Sequence, residues 1–221
     1  MSKMLPLLLV AVLVGGCSML PEGNRQARKS ARPAQTAYVP TADERQCLSQ
    51  LGQTQANFTP LPNQHYGSGC STQNTVQLAA LRSDNSDLAL SNLGPVACPL
   101  ATSFAGWARF GVDRAARVVL GSPLARIETM GSYNCRNVAG SGRRSAHATA
   151  NAIDIAAFVL EDGRRISVKQ HWRGGTAAER QFLRIVHESA CKRFGTVLGP
   201  EYNAAHEDHF HLEGSGRSFC R

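Results

Sequence analysis

Residues 145–158 read Ser-Ala-His-Ala-Thr-Ala-Asn-Ala-Ile-Asp-Ile-Ala-Ala-Phe. From Ala152 to Phe158 the only polar side chain is that of Asp154, which predicts a strand buried in the core. A carboxylate is costly to bury there unless a cation or hydrogen-bond donors meet it. A metal ion would supply the cation, and His147, seven positions earlier, can reach the carboxylate if the intervening loop folds back. The segment therefore predicts part of a metal site.

A second segment, His206-Glu-Asp-His-Phe-His211, supplies further histidines. Residues two apart share one face of a strand, so His209 and His211 should point the same way, with Phe210 turned toward the core. The same alternation turns Asp208 to the face opposite His209. One of the two histidines can ligate a metal while the other stands beside the open position. Two imidazole nitrogens and one carboxylate leave a fourth position for water, as in catalytic zinc sites.

Each segment alone has a plainer interpretation. A His-x-His pair is more often a surface or hydrogen-bonded core feature than a metal ligand, and Asp154 could pair with Arg143 or Arg144. His206 could be a solvated loop residue. The remaining histidines have no partner at a suitable spacing and are expected to be surface or structural residues: His65, His171 and His187.

Outside these two segments the chain mixes helical and strand-like patterns. The best helix is Thr176 to Arg193, with Thr176 as its cap. An earlier helical region is expected from Trp107 to Leu120, where Asp113 can act as a cap. Asp162-Gly163 is a strong signal for a hairpin. The expected strands are Leu124–Met130, Ala152–Leu160, Arg165–Val168, Thr196–Leu198 and Phe210–Leu212.

These elements predict an α+β domain in which helices pack around a small antiparallel sheet. Residues 41–100 are rich in Gly, Asn, Gln, Ser and Pro, so we expect irregular structure there, held down by cysteines.

The N-terminus has the pattern of a targeting segment. The apolar run from Leu5 to Val14 is too short to span a bilayer and has the length of a signal-peptide core. Val14-Gly-Gly-Cys17 resembles the lipobox of bacterial lipoproteins, which implies a signal peptide over 1–16 and a lipid on Cys17. The alternative is an ordinary secretory signal cut at another small residue. Both interpretations export the protein, and the Ser18 that follows favours the outer membrane.

Residues 17–40 are poor in large apolar side chains and predict a flexible tether. About 180 residues remain in 41–221, enough for one domain with its own core. The net charge of +8 lies partly in the tether, and nucleic acid is a poor partner for an exported chain. An anionic envelope polymer or the membrane surface fits better, and a solvated basic face without a ligand is the plainest interpretation.

Cysteine usage agrees with export. Seven cysteines occur, and setting Cys17 aside leaves six, which predicts three disulfides in an exported chain. No two of them form a Cys-x-x-Cys pair, so a zinc finger is not expected. Six cysteines allow fifteen pairings. The working hypothesis among these is Cys47 with Cys70, Cys98 with Cys135 and Cys191 with Cys220.

Together the two histidine segments resemble the LAS group of zinc peptidases, named for lysostaphin, the D-Ala-D-Ala metallopeptidases and sonic hedgehog. The shared pattern is Ser-x-His-x-x-Gly-x-Ala-x-Asp, followed later by His-x-His or Glu-x-x-His. Ser145, His147, Ala152 and Asp154 fit the pattern, whereas Ala150 stands where it has glycine and adds a methyl group in a tight turn.

A closer likeness, over roughly residues 45–220, is to the bacterial extensin-like C-terminal domain family, whose label implies nothing about plant walls. Three segments carry this resemblance: Gly131 to Asn137, Ser145 to Phe158, and Phe194 to His211.

The resemblance implies a role for each main site residue. His147, Asp154 and His211 correspond to the three zinc ligands. His209 corresponds to the partner of the attacking water or oxyanion in the penicillin-insensitive murein endopeptidases. Asp208 is the second candidate for a base, because members with Glu-x-x-His carry their base three residues before the last ligand.

Three further residues complete the expected site. Arg136 resembles the arginine that holds a substrate oxygen or carboxylate in the D-Ala-D-Ala peptidases, with a surface arginine beside a disulfide as the alternative. Ser145 is expected to orient its loop through backbone hydrogen bonds. Tyr133 and His206 are candidates for a supporting role around the ligands.

The resemblance implies a zinc metallopeptidase, of the murein endopeptidase or D-Ala-D-Ala carboxypeptidase type, that hydrolyses amide bonds in peptidoglycan stem peptides or crosslinks. The expected cofactor is Zn²⁺, and the expected partners are peptidoglycan peptides and, through the lipid, the membrane. The expected location is the periplasmic side of the cell envelope, as an outer-membrane lipoprotein. The alternative is a non-catalytic protein that binds wall peptide or has a structural role, because hedgehog keeps such a site without evident peptidase work. The bond that is cut and the oligomeric state stay open.

Overall fold

The computed structural model describes residues 38–214 and 218–221. The expected signal peptide, Cys17 and the tether up to residue 37 lie outside these residues. Within the described ranges, no helix is both long enough and apolar enough to cross a membrane. Tyr38–Arg221 forms one unit of the chain.

The described residues form twelve strands and four α-helices. The strands are β1 (Asn57–Pro60), β2 (Gln64–Gly67), β3 (Cys70–Thr72), β4 (Thr75–Arg82), β5 (Asp87–Ser91), β6 (Pro95–Ala97), β7 (Leu124–Gly131), β8 (Ala152–Leu160), β9 (Arg165–Ser167), β10 (Thr196–Leu198), β11 (Phe210–Glu213) and β12 (Phe219–Cys220). The helices are α1 (Ala42–Gln53), α2 (Cys98–Trp107), α3 (Val168–Gly174) and α4 (Ala177–Cys191).

Ten of the strands form one sheet in the order β1-β4-β5-β7-β8-β11-β10-β12, with β6 beside β4 and β9 beside β8. The pairs β5–β7 and β10–β12 are parallel, and the other pairs of this sheet are antiparallel. The strands β2 and β3 form a separate two-stranded sheet. The expected α+β class is confirmed, but the expectation of a small antiparallel sheet is wrong, because the sheet is large and mixed.

The sheet is larger than expected because residues 41–100 are not irregular. They form α1 and the strands β1 to β6, and β4 and β5 lie inside the main sheet. In β4 the buried apolar side chains of Val76 and Leu78 alternate, but the next buried one, Leu81, follows after three positions. This irregular spacing hides the strand pattern of β4. The turns between the short strands add the polar residues, glycines and prolines that made the segment resemble a loop.

Most elements predicted from residue 124 onward agree with the structure, but the strand expected over Arg165–Val168 ends at Ser167, and Val168 begins the unpredicted helix α3. The hairpin at Asp162-Gly163 joins the antiparallel strands β8 and β9. The helix α4 begins after Thr176, whose hydroxyl oxygen accepts a hydrogen bond from the Glu179 amide at 3.3 Å. The Glu179 carboxylate in turn accepts from the Thr176 amide at 2.7 Å. This reciprocal capping box satisfies two amides that the helix itself leaves unpaired.

The helical region predicted from Trp107 begins earlier than expected, and Asp113 does not cap it. It starts at Cys98 and continues beyond Trp107 as π-helical turns over Ala108–Asp113 and Ala116–Leu120. The Asp113 carboxylate is fully buried and accepts hydrogen bonds from the Leu124 amide and from Arg117, both at 2.9 Å. Asp113 therefore ties this helical region to the start of β7 and does not cap a helix.

An aromatic cluster fixes the helices on the sheet. The Trp107 ring lies 6.0 Å from Phe104, 6.1 Å from Phe158 of β8 and 6.0 Å from Phe194. Its indole Nε1 donates a hydrogen bond to the Val186 carbonyl of α4 at 3.2 Å. The strand β8 is therefore held from one side by α2 and α4.

Three disulfides cross-link the described residues, and two of the expected pairings are wrong. Cys191–Cys220 forms as expected. The other bonds are Cys47–Cys98, which joins α1 to α2, and Cys70–Cys135, which joins β3 to the segment after β7. The expected pairs Cys47–Cys70 and Cys98–Cys135 fail because α1 packs on α2, which brings residues 51 apart in the chain together.

We predict that Asp113→Ala lowers the free energy of unfolding by about 2–4 kcal/mol, because it leaves the buried Leu124 amide and the Arg117 guanidinium without their acceptor. Urea denaturation with the disulfides intact measures the effect. The control is Asp87→Ala, which breaks an exposed ion pair with Arg82 (2.9 Å) and should cost less than about 1 kcal/mol. Equal losses for the two variants would contradict the assignment.

Candidate metal centre

Asp154 and His211 meet across two neighbouring strands. They are direct partners in the antiparallel pair β8–β11, where opposite residues have their side chains on the same face. His211 Nδ1 lies 2.8 Å from Asp154 Oδ1. Asp154 is 9% exposed and His211 is 6% exposed. The register of the strands thus buries an imidazole beside a carboxylate.

His147 reaches the same point from a 3-10 turn, Ala146–Thr149, that precedes β8. Its Nδ1 donates a hydrogen bond to the carbonyl of Ser132 at 2.9 Å. Because a carbonyl only accepts, Nδ1 carries the hydrogen and Nε2 offers a lone pair. That Nε2 lies 3.1 Å from Asp154 Oδ2 and 3.2 Å from His211 Nδ1.

Glu213 holds the outer side of His211, and the sequence analysis missed it. Its Oε1 accepts a hydrogen bond from His211 Nε2 at 2.9 Å, so His211 presents Nδ1 to Asp154. The two residues stand two positions apart on β11 and share a face. The His-x-Glu spacing could have identified this contact if the expected strand, Phe210–Leu212, had been extended by one residue.

The set of His147, Asp154 and His211 could hold a metal ion. Each offers one ligand atom, and these atoms all lie within 4.8 Å of one another. Both histidines use their other nitrogen on a fixed acceptor, as metal-bound histidines generally do. Two imidazole nitrogens and one carboxylate oxygen are donors that zinc commonly takes.

The described residues contain one other group of this kind, His187 with Cys191 and Cys220. The two sulfur atoms are joined in a disulfide, so neither is a thiolate that could ligate a metal.

The charges of the centre stabilise one another. Burial alone would raise the pKa of Asp154, but the neighbouring imidazoles of His147 and His211 outweigh it and hold that pKa well below its usual range. Burial lowers the pKa of His211, but the neighbouring carboxylates of Asp154 and Glu213 raise it to about 9. Asp154 is therefore an anion at neutral pH, and a metal at Nδ1 of His211 would replace a proton.

His209 stands beside the three potential ligands and is oriented by Asp208. His209 Nε2 lies 3.5 Å from Asp154 Oδ1, and His209 Nδ1 donates to Asp208 Oδ1 at 2.8 Å. The prediction that Asp208 faces away is wrong, because β11 begins only at Phe210 and strand alternation does not extend back to Asp208. Phe210 is fully buried, as predicted. With Nδ1 protonated, Nε2 of a neutral His209 can accept a proton.

His206 belongs to the same group of rings. Its centroid lies 5.1 Å from that of His209 and 5.7 Å from that of His211. Its Nδ1 donates a hydrogen bond to Asn203 Oδ1 at 2.7 Å. Burial, together with the neighbouring His209 and His211, lowers the pKa of His206 to about 4. His206 is therefore neutral at pH 7 and adds no positive charge beside a metal.

The other predicted site residues lie around this centre. Ser145 caps the turn that carries His147, since its hydroxyl accepts from the His147 amide at 3.4 Å. Tyr133 packs on Tyr66, with the ring centroids 5.3 Å apart. Arg136 is exposed and lines the cleft above the centre.

The conformation of Ala150 explains why the pattern Ser-x-His-x-x-Gly-x-Ala-x-Asp has glycine at this position. The residue is fully buried and has φ of 53°, in the left-handed region that favours glycine. An alanine there costs about 1–2 kcal/mol of backbone strain. The turn between His147 and Asp154 thus keeps the conformation that glycine would adopt more easily.

A cleft of about 550 Å³ opens above the centre. Its lining includes His209, His211 and Glu213. Further lining residues come from the loop after β7 and from the segments around β10 and β12: Arg136, Val138, Ala139, Arg143, Ser145, Thr196, Leu198, Tyr202, Asn203, Ala205, His206 and Phe219.

The remaining histidines lie outside this cleft, and two of them are built into the fold. The ring of His171 accepts a hydrogen bond from the Ser167 amide at 3.0 Å, and the ring of His187 donates to the Arg221 carbonyl at 3.2 Å. His65 is exposed beside Gln73. These positions agree with the surface or structural roles expected for them.

Comparison with known families gives a match over residues 45–221 to the family described as "Extensin-like protein C-terminus". No curated protein and no solved structure matches the chain.

Proposed function

We propose that this chain, which belongs to the extensin-like protein C-terminus family, is a zinc peptidase of the LAS type that hydrolyses amide bonds in peptidoglycan stem peptides or crosslinks. The observation that carries the proposal is the convergence of His147, Asp154 and His211 within 4.8 Å, with His209 beside them. A structural ion pair would not require two imidazoles oriented by acceptors behind them.

Zinc fits the donor set, since each potential ligand is oriented and the carboxylate is ionised. His147 and His211 would contribute one nitrogen each and Asp154 one oxygen. When bound, zinc supplies Lewis acidity, polarising the carbonyl that is attacked and lowering the pKa of water to about 7.

His209 is the proposed general base. Its Nδ1–H is held by Asp208 at 2.8 Å, which fixes the ring and stabilises the charge it gains on taking a proton at Nε2. His209 then returns that proton to the amine that leaves. His206 is neutral at pH 7 and places no charge beside His209.

The proposed place of action is the periplasmic side of the cell envelope. Three disulfides in a chain of this size suit an oxidising compartment. The N-terminal pattern supports an outer-membrane lipoprotein held by a lipid on Cys17. The partners on this proposal are wall peptides and, through the anchor, the membrane.

We predict that the purified zinc-loaded protein releases peptide fragments with new amino and carboxyl termini from peptidoglycan. His209→Ala should keep its fold and metal and lower the cleavage rate about a hundredfold to ten-thousandfold, because it removes the base. Asp208→Ala should lower the rate by a smaller factor, because it removes only the group that orients the base. Mass spectrometry of the released fragments over time gives the rates.

The matched control is His65→Ala, an exposed histidine outside the cleft, which should cleave at the wild-type rate. Full activity in His209→Ala would refute the assignment of the base. A wild-type protein that binds zinc and wall fragments without cutting them would instead indicate a binding module.

We also predict that Glu213→Ala weakens zinc binding about 10- to 100-fold, because His211 loses the acceptor that orients it. Glu213→Gln keeps an oxygen acceptor and should retain most of the affinity. Competition against a chromophoric chelator measures the affinity, with Glu188→Gln on α4 as the control. An unchanged affinity in Glu213→Ala would show that His211 is positioned by other contacts.

A further inference from the structure

The loop that forms one wall of the cleft is basic and has no acidic residue. Between Gly131 and Ala150 the chain carries three arginines and no aspartate or glutamate. Arg136 and Arg143 line the cleft, and within the described residues neither forms an ion pair with a carboxylate. The acid that lines the same cleft, Glu213, is engaged with His211. The Arg136 guanidinium donates to the Asn137 carbonyl at 3.5 Å, whereas the Arg143 guanidinium has no hydrogen bond to the described residues. Arg143 is therefore the freer of the two to receive an anion from outside.

Arg143 lies on a loop that hydrogen bonds and a disulfide hold in place. Its carbonyl accepts from the Val138 amide at 2.9 Å, and its amide donates to the Ser141 hydroxyl at 3.2 Å. The disulfide Cys70–Cys135 fixes the start of the loop, and Arg144 donates to Asn137 Oδ1 at 2.9 Å across it. An arginine on such a loop loses less conformational freedom when it binds than one on a free segment.

Another part of the cleft lining is aromatic. Tyr202 and Phe219 line it, their ring centroids lie 5.8 Å apart, and each side chain is 43% exposed. Phe219 is held next to β10 by the disulfide Cys191–Cys220. Two large rings left in contact with water and packed on each other suit the apolar part of a ligand.

We infer that the cleft selects acidic peptides: Arg143 binds a carboxylate of the substrate, and the paired rings of Tyr202 and Phe219 bind its apolar part. The inference deepens the proposed function and rests on it for the position of the cut bond beside the metal centre. A guanidinium and a carboxylate match in geometry and charge, whereas a neutral amide in the same place offers one weaker acceptor. Binding should therefore depend on the charge of the peptide.

The test uses zinc-loaded His209→Ala protein, so that ligands are not consumed. The probes are crosslinked peptide dimers released from peptidoglycan by a muramidase, either intact or with their carboxylates converted to methylamides. Calorimetry should show the intact dimers binding about three- to tenfold more tightly. Adding Arg143→Gln should abolish this difference, whereas adding Tyr202→Ala should weaken both forms by the same factor.

The control is Arg180→Gln on α4, whose guanidinium donates to the Gly175 carbonyl and does not line the cleft. It should preserve the preference for the intact dimers. Equal binding of the two forms by the parent, binding of neither, or a preference that survives Arg143→Gln would each overturn the inference. A preference that behaves as expected in a protein whose wild type never cuts the dimers would support the inference and defeat the proposed hydrolysis.

Discussion

The buried carboxylate of Asp154 is the constraint on which the rest of the site depends, because it must be stabilised by neighbouring donors or cations. Asp154 lies on β8, which is packed between β7 and β11 and covered by helices. Burial without partners would force it to take up a proton, yet His147 and His211 keep it ionised. Two imidazoles and an anion in one buried place form a centre that could hold a divalent cation.

The supports around this centre come from different parts of the sheet. The Ser132 carbonyl after β7 orients His147, and Glu213 at the end of β11 orients His211. Both loops beside the cleft are tied by disulfides, one at the start of the basic loop and one beside Phe219. Asp154 and His211 therefore lie on strands of the sheet, His147 and His209 lie just before these strands, and the residues proposed to contact a substrate lie on anchored loops.

The sequence predicted the residues of the candidate metal centre more accurately than it predicted the sheet, because the signals for the centre are local. Asp154 in an apolar strand and the His-x-His spacing are readable within a few residues, and the structure brings these side chains together. The parallel pairing of β5 with β7 depends on partners distant in the chain, so residues 41–100 gave no sign of it. Asp208 was misplaced because strand alternation was applied to residues that precede the strand, which begins at Phe210 as expected. Glu213 was missed because the expected strand ended at Leu212, one residue before it.

The central claim is that Asp154 is ionised and buried in order to hold a metal with two histidines. The most direct measurement is the zinc content, by elemental analysis, of the wild type and of Asp154→Asn, both purified without chelator and checked for native folding. We expect about one equivalent of zinc in the wild type and less than about a tenth of one in the variant. A folded wild type without zinc, or a variant that keeps the full equivalent, would contradict it.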